Sequence, residues 1–355
     1  MYKLKFVNII AVLSLTVHLI SCTDNPTEPK PTPKTYIPVD TASRYEWTVL
    51  MGGFPTNDFN VVDTSNIFIA TGSRAVKYDG IQFSLLDLGD NRFYCQGLHA
   101  VNKDCIFFVG ETRVNMNYLY PTVKRYINGN VSSFDFPSDT LFSIYSVFGL
   151  SSDEFWAVAS FGRLYHVKNS VVQVFHEFEN SNGGGKFYRY PDGRLLLIIV
   201  KEDYNTFKSV VSVNKLLNGE VSKLTSDTLN EHEIGFLYDF DDNIILSKQR
   251  SLHNRDLYYF NGNQWEKFFS VDDLEPYFTF DIFACGGKSK NEFMINSNGA
   301  GAPLLYKDGK WNREYFYGFG WMTPKITFYN DRIYFMTNYY EIQASYLYKG
   351  KLRNH

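Results

Sequence analysis

Three short runs hold residue types that could do chemistry, and each departs from its pattern at a position the chemistry needs. His232-Glu233 opens like the helix of a zinc hydrolase, but position 236 is Phe, so no second imidazole stands one turn on to share a metal. Gly183-Gly184-Gly185-Lys186 is glycine-rich like a phosphate loop, yet Phe187 replaces the hydroxyl that would hold magnesium. Asp239, Asp241 and Asn243 imitate the first half of a calcium loop, but Ile244 stands where the turn needs Gly and Arg250 where a bidentate Glu belongs. Those acidic residues read more simply as a strand running into a turn. His99, His166 and His176 fall inside strand-like runs, where an imidazole is usually structural, and no nucleophile, general base, metal site or cofactor is assigned.

The one residue with a definite chemical reading is Cys22. Lys3 and Lys5 form a basic start and Phe6 to Leu19 a mostly apolar core, which together make a secretion leader too short to span a bilayer. The run Leu19-Ile20-Ser21-Cys22 resembles the lipobox of bacterial lipoproteins. That resemblance implies cleavage before Cys22, lipid on its thiol, and an envelope address, outer-membrane and periplasmic or surface-facing. Residues 22–43 follow as a tether, with Pro26, Pro29, Pro31, Pro33 and Pro38 among polar residues. Such a segment buries too little to fold, and at roughly 3 Å per residue its proline-rich stretch reaches about 50 Å. Asp40-Thr41-Ala42, Asp139-Thr140-Leu141 and Asp227-Thr228-Leu229 resemble acceptor sites for secretory O-glycosylation in Bacteroides-like bacteria.

The elements that would position any site come from a repeat over residues 44–355. Tight-turn pairs recur at Asp79-Gly80, Asn128-Gly129, Asn169-Ser170, Asn218-Gly219, Asn261-Gly262, Asp308-Gly309 and Lys349-Gly350. Their spacing of about 41 to 49 residues matches one four-stranded propeller blade. The expectation is an all-β, seven-bladed propeller of about 45 residues per blade. Its inner strands lie near Phe59–Val62, Gly97–Val101, Tyr145–Gly149, Phe187–Tyr190, Phe236–Phe240, Asp281–Cys285 and Ile326–Tyr329. Only Lys351 to His355 follow the last turn pair, too few for a full outer strand, while Tyr45-Glu46-Trp47-Thr48-Val49-Leu50 has the look of one. The N-terminal strand is therefore expected to complete the seventh blade and remove its open edge.

Val147-Phe148-Gly149, Ser151-Ser152-Asp153-Glu154-Phe155-Trp156-Ala157-Val158 and Gly162-Arg163-Leu164-Tyr165-His166-Val167 resemble secreted bacterial propeller repeats of the form V-x-G-x-S-x-D-D-x-W-A-V-G-x-x-G-x-I-x-H-Y-D-G-x-x-W. The ends of two further repeats agree, at Leu257 to Trp265 and Leu304 to Trp311. The resemblance implies a propeller used outside the cytoplasm and brings no common catalytic residues.

In such a ring, the loops joining strands two and three gather with the blade-to-blade connections around one channel mouth. The ligand-binding candidates on that face are Arg113, Tyr118, Arg163, Tyr204, Arg250, Trp321 and Tyr340, since Tyr, Trp and Arg make rigid amphipathic contacts. The competing reading is that these side chains anchor their own loops. Charge narrows the partner classes. The formal net charge is −3, two units more negative once Lys3 and Lys5 leave, and no basic stripe supports nucleic-acid binding. Cys95, Cys105 and Cys285 remain after Cys22, an odd number with no metal spacing, and are expected as buried thiols. The preferred reading is a monomeric, non-catalytic envelope lipoprotein that binds a protein or glycan through its loop face. An alternative is a polysaccharide hydrolase or lyase using a pair among Glu111, Glu202, Asp203, Glu231, Glu233 and Glu275 at the channel mouth. A third is a structural subunit of an outer-membrane assembly.

Overall fold

The computed structural model describes residues 39–40, 43–54, 56–72, 74–89, 92–115, 118–136, 143–178, 185–203, 208–217, 220–229, 235–241, 243–251, 254–274, 282–297, 303–314, 325–339 and 344–353. Short apolar and β-branched runs bounded by turn residues give seven antiparallel sheets, each built on four strands. They are numbered here as blades 1 to 7 in the order of their inner strands: Asp58–Asp63, Phe93–Asn102, Ile144–Gly149, Gly185–Arg189, Gly235–Asp239, Ile282–Ser289 and Ile326–Tyr329. The expected seven-bladed propeller is thus the fold.

Turn chemistry fixes the registers. Asn128 and Gly129 have φ of 48° and 89°, and Asp308 and Gly309 of 54° and 75°, the left-handed pair that matches the twist of a two-residue hairpin. Asp79 and Asn261 instead close four-residue loops, their side-chain oxygens accepting from the amides of Ile81 and Gln82 and of Asn263 and Gln264. Asn218-Gly219 lies outside the described residues. Lys349-Gly350 is a correction to the turn series, because both residues sit inside the strand Ala344–Leu352. The reason is closure: Gly350 pairs with Trp47 of the N-terminal strand, whose ring would lie 3.0 Å from a Cβ at Gly350.

Blade 7 takes its outer strand from Tyr45–Phe54, in register from Tyr45↔Leu352 to Phe54↔Ser345. The closure has a second part that the sequence did not announce. Val39–Asp40, counted in the tether from composition, forms a short parallel strand on the outer edge of blade 6, pairing Val39↔Trp311 and Asp40↔Asn312. Next to it the fully buried Glu314 accepts from Ser43 Oγ at 2.5 Å, Arg44 N at 2.8 Å, Tyr45 N at 3.1 Å and Trp47 Nε1 at 3.2 Å. One carboxylate therefore satisfies four donors of the incoming strand.

Between blades, large flat side chains fill the wedge. Phe107, Phe134, Phe155 and Tyr165 pack blade 2 on blade 3, and Phe240, Phe269, Phe293 and Trp311 pack blade 5 on blade 6. Trp156 stacks on His166 at 4.1 Å, and His166 Nε2 meets Glu154 at 2.9 Å, so this imidazole serves the blade. Cys95, Cys105 and Cys285 are buried free thiols, each pushed up in pKa chiefly by burial.

Candidate functional site: channel and loop face

The inner strands surround a central channel with a cavity volume of about 540 Å³, lined by residues of all seven blades. A meander of four strands sets its polarity. Each inner strand enters from a blade-to-blade connection, on the end that also carries the turns between strands two and three, and leaves at the opposite end.

Two ion pairs occupy part of the wall. Lys325, immediately before the inner strand of blade 7, donates to Asp58 Oδ1 of blade 1 at 3.0 Å and to the Phe59 carbonyl at 2.7 Å. Asp58 Oδ2 accepts from the Leu98 amide of blade 2 at 3.2 Å, so one carboxylate ties three blades. Lys186 of blade 4 meets Asp239 of blade 5 at 2.8 Å. Burial works against the Lys325 charge, but Asp58 and Asp239 more than offset it and leave its pKa raised. His99 lies beside this pair against the Phe148 ring, centroids 4.5 Å apart. Burial first, and the Lys325 cation second, hold it down to about 4 against the opposing pull of Asp58 and a Gly149 backbone hydrogen bond. His99 is therefore a neutral imidazole near pH 7.

The inner strands are not regular. In blade 2 the register with the next strand skips between Cys95 and Gly97, and in blade 3 between Ile144 and Ser146. Gln96 and Tyr145 are the extra residues of these two β-bulges, and both line the channel. Bulges of this kind re-aim one side chain out of the pleat. A Cβ at Gly97 would meet Asp58 Oδ2 at 3.6 Å and the Tyr145 carbonyl at 3.9 Å in ordinary contact, and only Val109 Cγ2, at 3.3 Å, would be tight.

The sequence-derived loop residues fare unequally. Arg113 is exposed near the end of the second strand of blade 2. Tyr118 opens the third strand of that blade and Arg250 lies in the strand Ile244–Ser251 of blade 5, and for both only the backbone is described. Arg163 is held by its own blade, with Nε 2.7 Å from Glu177 Oε1. Tyr204, Trp321, Tyr340 and Cys22 lie outside the described residues. Of the carboxylates, Glu111 accepts from Ser143 Oγ, while Glu231, Glu233 and Glu275 are not among the described residues.

Sequence reasoning missed the channel set: Asp58, Gln96, Tyr145, Lys186, Arg189, Asp239 and Lys325. The available signal was a polar or charged residue inside an innermost strand, where apolar residues prevail, but sequence does not tell which face such a residue takes once a bulge intervenes.

No family model and no curated protein matches the chain. Solved structures do match. YCF48 bound to D1 peptide superposes with a TM-score of 0.58 at 15% identity, covering 90% of this chain and 100% of that one. YCF48 from Cyanidioschyzon merolae gives 0.56 at 13%, covering 91% and 98%. The β-propeller domain of Myceliophthora thermophila Cps50 (Swd1) gives 0.58 at 8%, covering 85% and 99%. At such identities the likeness is one of fold.

Proposed function

We propose that this chain is a lipid-anchored envelope protein whose propeller holds a protein partner on its loop face. The observation that carries the reading is the uneven height of that face. In blade 1 the hairpin of strands two and three is short, paired from Ile67↔Tyr78 to Ala70↔Ala75. In blade 2 the same hairpin runs from Cys105↔Ile127 to Asn115↔Tyr118, and those of blades 4 and 7 are similarly long. The extended hairpin of blade 2 carries exposed Arg113 and Tyr120, the latter 44% exposed. A raised, aromatic and basic rim suits a docked polypeptide, since such residues anchor interfaces. A structurally similar propeller, YCF48, has been solved with a D1 peptide bound. The membrane part of the reading rests on Leu19 to Cys22 and the proline-rich segment after it.

Cross-linking in intact envelopes tests the docking, comparing wild type with a variant carrying Tyr118→Ala, Arg250→Ala and Trp321→Ala. Loss of a discrete adduct with an unchanged melting temperature is expected. An unchanged adduct overturns the loop-face assignment, and turnover of an envelope polysaccharide by the wild type moves the case to the enzyme reading. For the anchor, Cys22→Ser should leave unprocessed, unlipidated precursor.

A further inference from the structure

The polar groups of the channel differ in how far they are engaged. Asp58 pairs with Lys325, and Asp239 Oδ2 pairs with Lys186 while its Oδ1 is buried without a hydrogen bond among the described residues. Asn60, Gln96, Tyr145 and Arg189, from the inner strands of blades 1 to 4, line the same cavity, and their side chains make no hydrogen bond or ion pair among the described residues. Two of the four, Gln96 and Tyr145, are the residues pushed out by β-bulges in adjacent blades, and Tyr145 leaves 47% of its surface exposed despite lying on an innermost strand.

We propose that this sector of the channel is a binding site for a short acidic saccharide, separate from the loop face. The residue types select the class. A phenol ring offers a flat face for the C–H side of a pyranose and a hydroxyl at its rim. Two amides supply paired donors and acceptors that match neighbouring sugar hydroxyls. Arg189 supplies a planar guanidinium without an ion pair among the described residues, suited to a single carboxylate through two parallel hydrogen bonds. A phosphorylated ligand calls for more uncommitted positive charge than this wall offers, since Lys186 and Lys325 are already neutralised by aspartates. A ligand ammonium would have to displace those same lysines from their carboxylates. A volume of about 540 Å³ lies within the range of small-molecule sites. Arg189 ends the inner strand of blade 4, on the side of the ring away from the loop face, so a saccharide lying along the channel puts its acid toward that end and its neutral sugar against Tyr145 and Gln96.

Isothermal titration of the folded protein with an aldobiouronic acid, one glucuronate joined to one neutral hexose, tests this, with cellobiose as the uncharged control. Wild type should bind the acidic disaccharide at least tenfold tighter than cellobiose. Arg189→Gln should erase that preference, and Tyr145→Ala should weaken both sugars at least tenfold. The triple loop-face variant should bind the acidic disaccharide as wild type does, which separates this site from partner docking. Arg189 is exposed, so its variant keeps the fold. Should Tyr145→Ala lower the melting temperature, Gln96→Ala takes its place. Absence of binding by wild type, equal affinity for the two sugars, or undiminished binding by Arg189→Gln each overturns the proposal.

Discussion

The clasp around Glu314 and the open sector of the channel both place polar groups among packed β-strands, and they resolve them in opposite ways. At the clasp one buried carboxylate meets four donors, three of them from Arg44, Tyr45 and Trp47 on or beside the strand that closes the ring. In the channel, the side chains of Asn60, Gln96, Tyr145 and Arg189 make no hydrogen bond or ion pair among the described residues. A satisfied buried network contributes to stability because losing any member strands the others, whereas an unsatisfied, water-accessible group contributes almost nothing to the fold. Cutting the first should therefore unfold the protein, and cutting the second should leave it standing but empty.

Deletion gives the largest expected effect. Removing residues 44–50 takes away the first part of the outer strand of blade 7 and the backbone donors to Glu314 at Arg44 and Tyr45, so a melting temperature many degrees lower is expected, while removing residues 23–38 changes it little. Equal melting temperatures would mean that the ring does not depend on this strand. Next comes Glu314→Ala, which leaves the amides of Arg44 and Tyr45 buried without an acceptor. Chemical denaturation should show a loss of roughly 3 kcal/mol or more, with Glu314→Gln in between.

A pH effect follows from His99. Its folded pKa of about 4 lies below the ordinary 6.5. The unfolded chain therefore takes up a proton that the folded chain refuses, and stability falls as pH drops from about 6.5 toward about 4, by up to about 3 kcal/mol. His99→Phe should flatten that slope in melting curves measured across the window. A slope unchanged by the substitution would assign the acid sensitivity elsewhere. Lys325→Met is expected to cost less, on the order of 1 kcal/mol, because Asp58 remains partly solvated, at 23% side-chain exposure, and can be rehydrated. At the bottom of the scale, Tyr145→Phe should leave the denaturation midpoint within error while weakening the saccharide titration severalfold, which sharpens the contrast with Glu314.

Much of the ring was legible from local chemistry. The pairs Asn128-Gly129 and Asp308-Gly309 favour positive φ by residue type alone, and they, with Asn169-Ser170, fall at the outer hairpins. Lys349-Gly350 ends in the same glycine and is no turn, because a strand from the other end of the chain lies across it. The same non-local pairing draws Val39 and Asp40 onto blade 6. Arg163 is engaged by Glu177 across its own sheet, a contact whose register depends on a bulge between Leu164 and Tyr165.

From sequence alone came the number of blades, their strand order and the strand that closes them, because turn propensity and hydrophobic alternation are local properties that recur from blade to blade. Which polar residues face one another was settled only in three dimensions. Asp58 and Lys325 are 267 positions apart, and Glu314 stands 269 from the amide it holds at Tyr45. No local preference encodes such meetings. They arise because closing the ring brings the first and last blades together, and because single-residue bulges in blades 2 and 3 turn Gln96 and Tyr145 from the pleat into the channel.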